Sequence, residues 1–137
     1  MLSESVLLAL QRATHHTLHA LSTALASLDL TSSEINTLAN LADGRARSVR
    51  ELATDTGTRS TTLTGVLDRL ERRGYVAREL DPDDRRSFRI SLTGPGRAVA
   101  RKVGTAVTEL ETTALAGVSA RQLAGYHAVV SALEALA

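Results

Sequence analysis

Apolar residues recur at helical spacing along most of this chain, and they alternate with polar residues in one short region. A leucine- and alanine-rich segment from about Ser3 to Leu28 has no internal glycine or proline, which predicts one long first helix. Thr31 and Glu34 then have the spacing of a capping box. They predict the start of a second helix, which ends near Asp43-Gly44.

Two further helices are predicted before the alternating region. Ser48 and Glu51 repeat the capping-box spacing, and Gly57 offers the turn that ends a short third helix. The fourth helix has a single apolar stripe at positions i, i+3, i+4 and i+7, formed by Leu63, Val66, Leu67 and Leu70. Its opposite face is polar and carries Arg59, Ser60, Thr61, Thr62, Thr64, Asp68, Arg69 and Arg72. Gly74, after Arg73, is suited to the left-handed conformation that ends a helix.

The alternating region runs from Tyr75 to Thr93. Phe88, Ile90 and Leu92 fall on one side of an extended strand, and residues 75–80 can supply its antiparallel partner. The turn between the two strands is charged and contains proline, with the sequence Asp81-Pro82-Asp83-Asp84-Arg85-Arg86. A helix followed by a hairpin with a basic tip is the outline of a winged helix-turn-helix.

Two more helices follow the hairpin, after a strand break at Thr93-Gly94-Pro95-Gly96. The fifth helix is marked by apolar residues at helical spacing, namely Val99, Val103, Ala106, Val107, Leu110 and Ala114. Ser119 and Gln122 cap the sixth, whose apolar positions include Leu123, Tyr126, Val130 and Leu133. This is more apolar helix than one small winged domain needs, which predicts a surface that binds a partner.

Length and composition narrow the class of protein. A chain of 137 residues suits one domain with a single core. The absence of cysteine excludes disulfides, a thiol redox switch and a thiolate zinc site. No run of about 18 apolar residues occurs, and the first residues lack the basic flank of a signal peptide. We therefore expect a soluble, cytoplasmic protein with no membrane partner.

The formal net charge of +1 hides a strong segregation of charge along the chain. Of the 16 basic residues, 14 lie between Arg45 and Lys102, together with only 8 of the 15 acidic residues. Such asymmetry is typical of a nucleic-acid-binding surface carried by a scaffold with another task. The alternative is that many of these arginines form an ordinary solvated face.

The polar face of the fourth helix suits the major groove of DNA, because arginine and hydroxyl side chains bond base edges and phosphates. We expect base contacts near the helix start, from Arg59, Ser60, Thr61, Thr62 and Thr64. Phosphate contacts are expected from Arg69 and Arg72, and from Ser48 and Arg50 at the start of the third helix. The alternative is an ordinary surface helix, which more often carries lysine and glutamate at matched spacing.

At the hairpin tip, we expect Asp84 to pair with Arg85 and stiffen the turn, while Arg86 projects into a narrow minor groove. The alternative is a solvated, salt-bridged turn.

The histidines offer little for a metal site. His15 and His19 are one helical turn apart, but two imidazoles make only half a zinc site. For these two residues and for His16, the preferred interpretation is that they are exposed to solvent or form the polar lining of a ligand pocket. His127 is expected to pack. No catalytic motif and no cofactor-binding motif occurs, so we expect neither enzymatic activity nor a cofactor.

The segment 48–93 resembles the MarR family of bacterial transcriptional regulators. Three stretches carry the resemblance, namely Ser48-Val49-Arg50-Glu51-Leu52-Ala53, the stretch from Leu67 to Val76 that reads LDRLERRGYV, and the wing turn Asp81-Pro82-Asp83-Asp84-Arg85-Arg86 leading into Leu92-Thr93. The resemblance implies a mainly α fold with a small β-hairpin wing, as one MarR-type domain over residues 1–137. The DNA-binding lobe would span about 31–93, and about 1–30 and 94–137 would form dimerisation helices.

The resemblance also implies a function. Members of the family are homodimers that bind double-stranded DNA at palindromic operators, usually as repressors, and small aromatic acids or other organic effectors commonly release them. A winged-helix module that binds a protein, without specific DNA binding, is the alternative, and a small enzyme is a third.

Overall fold

A computed structural model describes residues 4–136 of the chain. Within this range, six α-helices and three β-strands alternate in a mainly helical fold with a small antiparallel sheet. Their bounds are α1 Val6–Ala24, α2 Ser32–Leu41, β1 Arg47–Ser48, α3 Val49–Thr56, α4 Ser60–Arg72, β2 Val76–Asp81, β3 Asp84–Leu92, α5 Gly94–Ala114 and α6 Ala120–Glu134. The predicted winged helix-turn-helix class is confirmed.

Local capping signals set most of the helix ends. In the box before α2, Glu34 N–H donates to Thr31 Oγ1 at 3.2 Å, and Thr31 N–H donates to Glu34 Oε1 at 2.8 Å. Ser48 caps α3 by accepting from Glu51 N–H at 3.1 Å, but no bond returns from the Glu51 side chain, so half of the second predicted box forms. Gly57, with φ of 71°, ends α3 as predicted.

One hydrophobic core lies beneath α2, α3, α4, the sheet and α5. The predicted stripe of α4 is fully used, since all four of its members are buried. The other buried core positions on these elements are Ile35, Leu38, Leu41, Leu52, Ala53, Val76, Ile90, Ala100, Val103 and Ala106. The core therefore fixes α4 with its apolar stripe inward and its polar face outward.

The sheet has three strands in the order β1-β3-β2, all antiparallel. Strand β1 is only two residues long and pairs Arg47 with Ile90, so the sequence pattern did not reveal it. In the hairpin, Val76 pairs with Leu92 and Leu80 with Phe88, and the register shifts between Leu80 and Asp81.

One prediction about an element limit was wrong. The first helix ends at Ala24 rather than Leu28, because the chain tightens into a 3₁₀ turn and then takes a left-handed conformation at Asp29, with φ of 51°. The predicted start at Ser3 lies outside the described residues. Phe88 shares a face of β3 with Ile90 and Leu92, as predicted, but the hairpin projects beyond the core at this point and leaves the Phe88 side chain 45% exposed.

Helices α1 and α6 are poorly covered by the rest of the chain. None of the side chains of Val6–Ala24 or Ala120–Glu134 is buried. Large apolar side chains are exposed on these helices and in the adjoining segments, namely Val6, Leu7, Leu8, Leu115, Val118, Tyr126, Val129 and Leu136. Among residues 4–136, no helix combines the length and apolar character needed to span a membrane.

Helix α5 is joined tightly to the base of the wing. Thr93 caps it by accepting from Gly96 N–H at 3.0 Å, and the Thr93 hydroxyl also donates to Gly74 O at 2.5 Å. Gly96 is buried directly against Tyr75, where a Cβ atom would lie 1.8 Å from the carbonyl oxygen. The predicted strand break is thus a helix start at which only glycine fits.

Candidate nucleic-acid interface

The first turns of α4 present the hydroxyl groups that were expected to contact bases. Arg59 is the N-terminal flanking residue of the helix and makes no side-chain cap, and Ser60, Thr61 and Thr62 follow it on the exposed surface. Thr64 is exposed as well, although its hydroxyl donates to Ser60 O at 2.9 Å. The five candidate side chains therefore share one solvent-exposed end of α4.

The two arginines farther along α4 are also exposed. Arg69 and Arg72 lie in the last turn, where positive charge complements the negative end of the helix dipole. Arg72 Nε donates to Asp68 O at 3.3 Å, which leaves the two terminal guanidinium nitrogens for another acceptor. Their position agrees with phosphate contacts, which stay a prediction.

The acidic residues at the wing tip fold the turn by bonding its backbone. Asp81 Oδ1 accepts from Asp83 N–H at 2.9 Å, and Asp84 Oδ1 accepts from Arg86 N–H at 3.0 Å. The expected ion pair between Asp84 and Arg85 was wrong, because the Asp84 carboxylate is directed to this backbone amide. Within residues 4–136, neither arginine of the tip lies within 4.0 Å of a carboxylate, and both side chains are exposed. The turn thus presents two guanidinium groups.

The start of α3 lies beside the start of α4. Arg50 is exposed and lines the same open groove as Arg59 and Ser60, a groove of about 1330 Å³ that also borders the end of α6. Ser48 is half-buried, and its hydroxyl caps α3. The structure therefore brings Arg50 together with the candidate base-contacting residues, whereas the Ser48 hydroxyl accepts the capping bond of α3 and keeps its hydrogen as a donor.

The sequence did not reveal a cluster of charges around Arg47, whose buried side chain contacts two partly exposed carboxylates. Arg47 is 6% exposed, and it donates to Asp43 Oδ2 at 2.5 Å and lies 2.8 Å from Asp55 Oδ2. Hydrogen bonds from the Arg47 side chain and from the Arg45 amide lower the pKa of Asp43 to about 2. The same bond to Asp43 raises the pKa of Arg47. The cluster fastens β1 to the end of α3, immediately before the turn into α4.

Two further arginines, also missed, hold α4 in position. Arg78 of β2 forms an ion pair with Asp68, and its buried Nε lies 3.8 Å from Glu71 Oε2, too far for a hydrogen bond. Because Asp68 and Glu71 both belong to α4, Arg78 links the wing to this helix and offsets two negative charges on it.

Arg73 fixes the other end of the same helix. Its guanidinium donates to Asp29 O at 2.6 Å and to Leu28 O at 3.0 Å, and it lies 5.1 Å from the ring centroid of Tyr75. The C-terminal end of α4 is therefore attached to the segment between α1 and α2.

The histidines form no metal site in the part of the chain that the structure describes. His15, His16 and His19 are all exposed on α1, as the preferred interpretation expected. His127 does not pack in the core; it is exposed, and its ring meets Tyr126 edge-on with centroids 5.4 Å apart. The expected packing was wrong for the single chain, because α6 contributes no buried side chain.

Comparison with known proteins agrees with this geometry. The MarR family model matches residues 30–88. Two relatives from Bacillus subtilis (strain 168) are similar over shorter segments. The uncharacterized HTH-type transcriptional regulator YcgE is 56% identical over 36 residues, which cover 26% of this chain and 23% of that protein. A second such regulator, YfiV, is 32% identical over 74 residues, which cover 54% of this chain and 46% of that protein. The matches thus span less than half the length of either relative.

Solved structures extend the similarity of fold over nearly the whole chain. CouR from Rhodococcus jostii RHA1, bound to p-coumaroyl-CoA, superposes with a TM-score of 0.85 at 24% identity, covering 98% of this chain and 94% of that one. NadR in complex with 4-hydroxyphenylacetate superposes with a TM-score of 0.84 at 21% identity, covering 98% and 95%. At such identities the likeness shows the fold alone.

Proposed function

We propose that this chain is a sequence-specific transcriptional regulator of the MarR family that binds double-stranded DNA. The match of residues 30–88 to the MarR family model supports this, as does its similarity over shorter segments to two proteins named as transcriptional regulators. The observation that carries the proposal is the pairing of two exposed features on one lobe. The polar face of α4 presents hydroxyls and arginines, and the wing tip presents Arg85 and Arg86, which form no ion pair with any acidic residue in the described part of the chain.

The two features suit the two grooves of one duplex. A single helix fits the wide major groove, where Arg59 and the hydroxyls of Ser60, Thr61, Thr62 and Thr64 would meet base edges. An arginine at a hairpin tip suits the narrow, strongly negative minor groove, which is the role we propose for Arg86. Arg50, Arg69, Arg72 and Arg85, with the hydroxyl of Ser48, would bond phosphates and set the register of the protein on the duplex.

We propose that the protein acts as a homodimer on a palindromic operator. The exposed apolar side chains of α1 and α6 support this, because one chain leaves both helices without any buried residue. A two-fold dimer would present two α4 helices to major-groove segments about one helical turn apart. Sedimentation at micromolar concentration tests this part, since a stable monomer would contradict it.

Release by a small organic effector is proposed as well, together with a role as a repressor. Two proteins with this fold have been crystallised with small organic acids or their thioesters, NadR with 4-hydroxyphenylacetate and CouR with p-coumaroyl-CoA. An effector would act by stabilising a spacing of the two α4 helices that the operator does not accept. Adding small aromatic acids to the preformed DNA complex, with anisotropy as the readout, would identify such a compound.

The proposal is tested by selecting duplexes from a randomised library with the purified protein and measuring their affinity at two salt concentrations. We expect tight, selective binding that weakens steeply as salt rises. Equal affinity for selected and scrambled duplexes would contradict sequence-specific recognition. Failure to enrich any duplex would favour a winged-helix module that binds a protein instead.

A further inference from the structure

An apolar pair is exposed on the outer half of the wing. Leu80 of β2 and Phe88 of β3 are directly paired across the hairpin, and they are 58% and 45% exposed. Leu80 directly precedes the charged turn Asp81-Pro82-Asp83-Asp84-Arg85-Arg86, and Phe88 follows it by two residues, so this apolar pair adjoins the turn that carries Arg85 and Arg86. Isolated apolar residues on a surface are common and need no explanation. Here, however, two apolar residues are paired directly across the strands, beside the turn of the hairpin.

The strand register shows which way this pair faces. Side chains alternate along a strand, and directly paired residues share a face. The face of Leu80 and Phe88 is therefore also that of Arg78 with Ile90 and of Val76 with Leu92. At the base this face covers the core, since Val76 and Ile90 are buried.

The middle of the same face is turned toward α4. Arg78 reaches across to Asp68 and Glu71 on that helix, so its own charge is already engaged. Leu80 and Phe88 are the next pair on this face toward the hairpin tip, beyond the ion pairs of Arg78 with α4. They overlook the space between the exposed side of α4 and the wing tip.

We propose that Leu80 and Phe88 form an apolar contact surface for the deoxyribose edge of the bound DNA strand. This inference rests on the proposed function, in which α4 occupies a major groove and the wing tip the adjacent minor groove. The sugar-phosphate strand that separates those two grooves must then run between α4 and the wing tip, past this face of the hairpin. Its phosphates would meet the arginines, and its sugars would meet the apolar pair.

The chemistry of the surroundings favours DNA over a second protein as the occupant. The pair is flanked by the guanidinium groups of Arg85 and Arg86, which form no ion pair among residues 4–136 and suit a polyanion. Deoxyribose is the principal apolar surface on a duplex backbone, and apolar side chains including Phe and Leu commonly contact the minor groove beside basic residues.

The salt dependence of binding separates this contact from an ionic one. Removing an apolar contact lowers affinity without changing the number of counterions released, whereas removing an arginine that enters the negative minor groove lowers the salt slope by about one for each wing bound. The test therefore uses the library-selected duplex and compares Phe88→Ala, Leu80→Ala and Arg86→Ala by anisotropy over a range of salt. Ser87→Ala, the neighbouring position on the opposite face, is the matched control.

We expect Phe88→Ala to weaken binding roughly tenfold, and Leu80→Ala by somewhat less, with the salt slope of the wild-type protein. Ser87→Ala should bind as the wild type does. Since both apolar side chains are outside the core, the variants should keep the wild-type unfolding midpoint. If Phe88→Ala does not fold, Leu80→Ala decides the question.

Three results would overturn the inference. The first is wild-type affinity in both apolar variants while Arg86→Ala is impaired, which would leave the proposed function intact. The second is a reduced salt slope in Phe88→Ala, which would indicate a lost ionic contact. The third is conversion of Phe88→Ala to a monomer in sedimentation, which would assign the pair to a second copy of the chain. Failure of the wild-type protein to bind any duplex would remove the proposed function and this inference together.

Discussion

Replacing Gly96 by alanine should destabilise the protein more than any other single methyl added to α5. The new Cβ would lie 1.8 Å from Tyr75 O, 2.7 Å from Tyr75 C and 3.0 Å from Tyr75 Cα. A Cβ atom essentially never lies within 3.0 Å of a non-bonded heavy atom, so α5 and the wing base must move apart by at least about 1.2 Å. The obstructing atoms belong to the backbone, and no rotamer change relieves the clash.

That displacement breaks specific bonds. Tyr75 O accepts from Thr93 N–H at 3.1 Å, and the neighbouring Gly74 O accepts from the Thr93 hydroxyl. Overpacking at a rigid buried site costs about 1–3 kcal/mol, and the broken bonds add to it, so we expect a loss of roughly 3 kcal/mol or more in the free energy of unfolding.

The matched control is Gly104→Ala, in the interior of the same helix. There the nearest atom to the new Cβ is the Ala42 Cβ at 4.0 Å, an ordinary contact. Alanine is the better helix former, so this variant should gain about 0.5–1 kcal/mol. Urea unfolding followed by circular dichroism, at one protein concentration for all variants, measures both changes. Equal midpoints for Gly96→Ala and the wild type would refute the close approach of α5 to Tyr75.

Three further predictions concern charged groups. Asp43→Asn should cost roughly 1 kcal/mol at neutral pH, a value reduced for the partial exposure of the carboxylate. Folding lowers the pKa of Asp43 from 3.8 to about 2, so the stabilisation by its carboxylate is present above pH 3.8 and is lost as the pH falls toward 2. The difference in the free energy of unfolding between Asp43→Asn and the wild type should therefore disappear over that range. A difference that stays constant with pH would contradict this role of Asp43. Arg73→Ala should lower the free energy of unfolding by about 1–2 kcal/mol, because two hydrogen bonds to the segment before α2 are lost, and Arg73→Lys should keep part of this stabilisation. An unchanged urea midpoint in Arg73→Ala would refute this attachment. Arg78→Ala should weaken DNA binding about tenfold, because Asp68 and Glu71 then face the phosphates uncompensated. Asp68→Asn in the same chain should restore part of that affinity in an anisotropy titration, and no restoration would rule out charge repulsion as the cause.

Much of the fold was predictable because its signals are local. The boxes at Thr31 and Ser119, the turn glycine at Gly57 and the stripe of α4 each depend on residues within about two turns of a helix. Strand β1 could not be found this way, since two residues carry no periodicity and its pairing to Ile90 is a long-range contact. The early end of α1 likewise depends on how the chain turns at Asp29 toward α2.

In the candidate interface, too, the features with local signals were predicted and those that depend on long-range contacts were missed. Exposure of the α4 hydroxyls and of the wing arginines followed from the pattern, because a stripe that is buried on one side leaves the other side outward. The residues that hold α4 in place were missed because their partners are distant in sequence: Arg73 bonds a carbonyl 44 residues away, and Arg78 bonds a carboxylate 10 residues away. Arg47 was counted only as part of the basic segment between Arg45 and Lys102, because the two carboxylates converge on it only in the fold.

Chemical footprinting of a library-selected duplex tests most directly whether paired α4 helices and wing tips read DNA. Dimethyl sulfate footprinting should show major-groove protection at two half-sites about one helical turn apart. Hydroxyl-radical cleavage should show protection in the flanking minor grooves that disappears with Arg86→Ala. Protection confined to a single patch, or unchanged flanks in the Arg86 variant, would contradict the account.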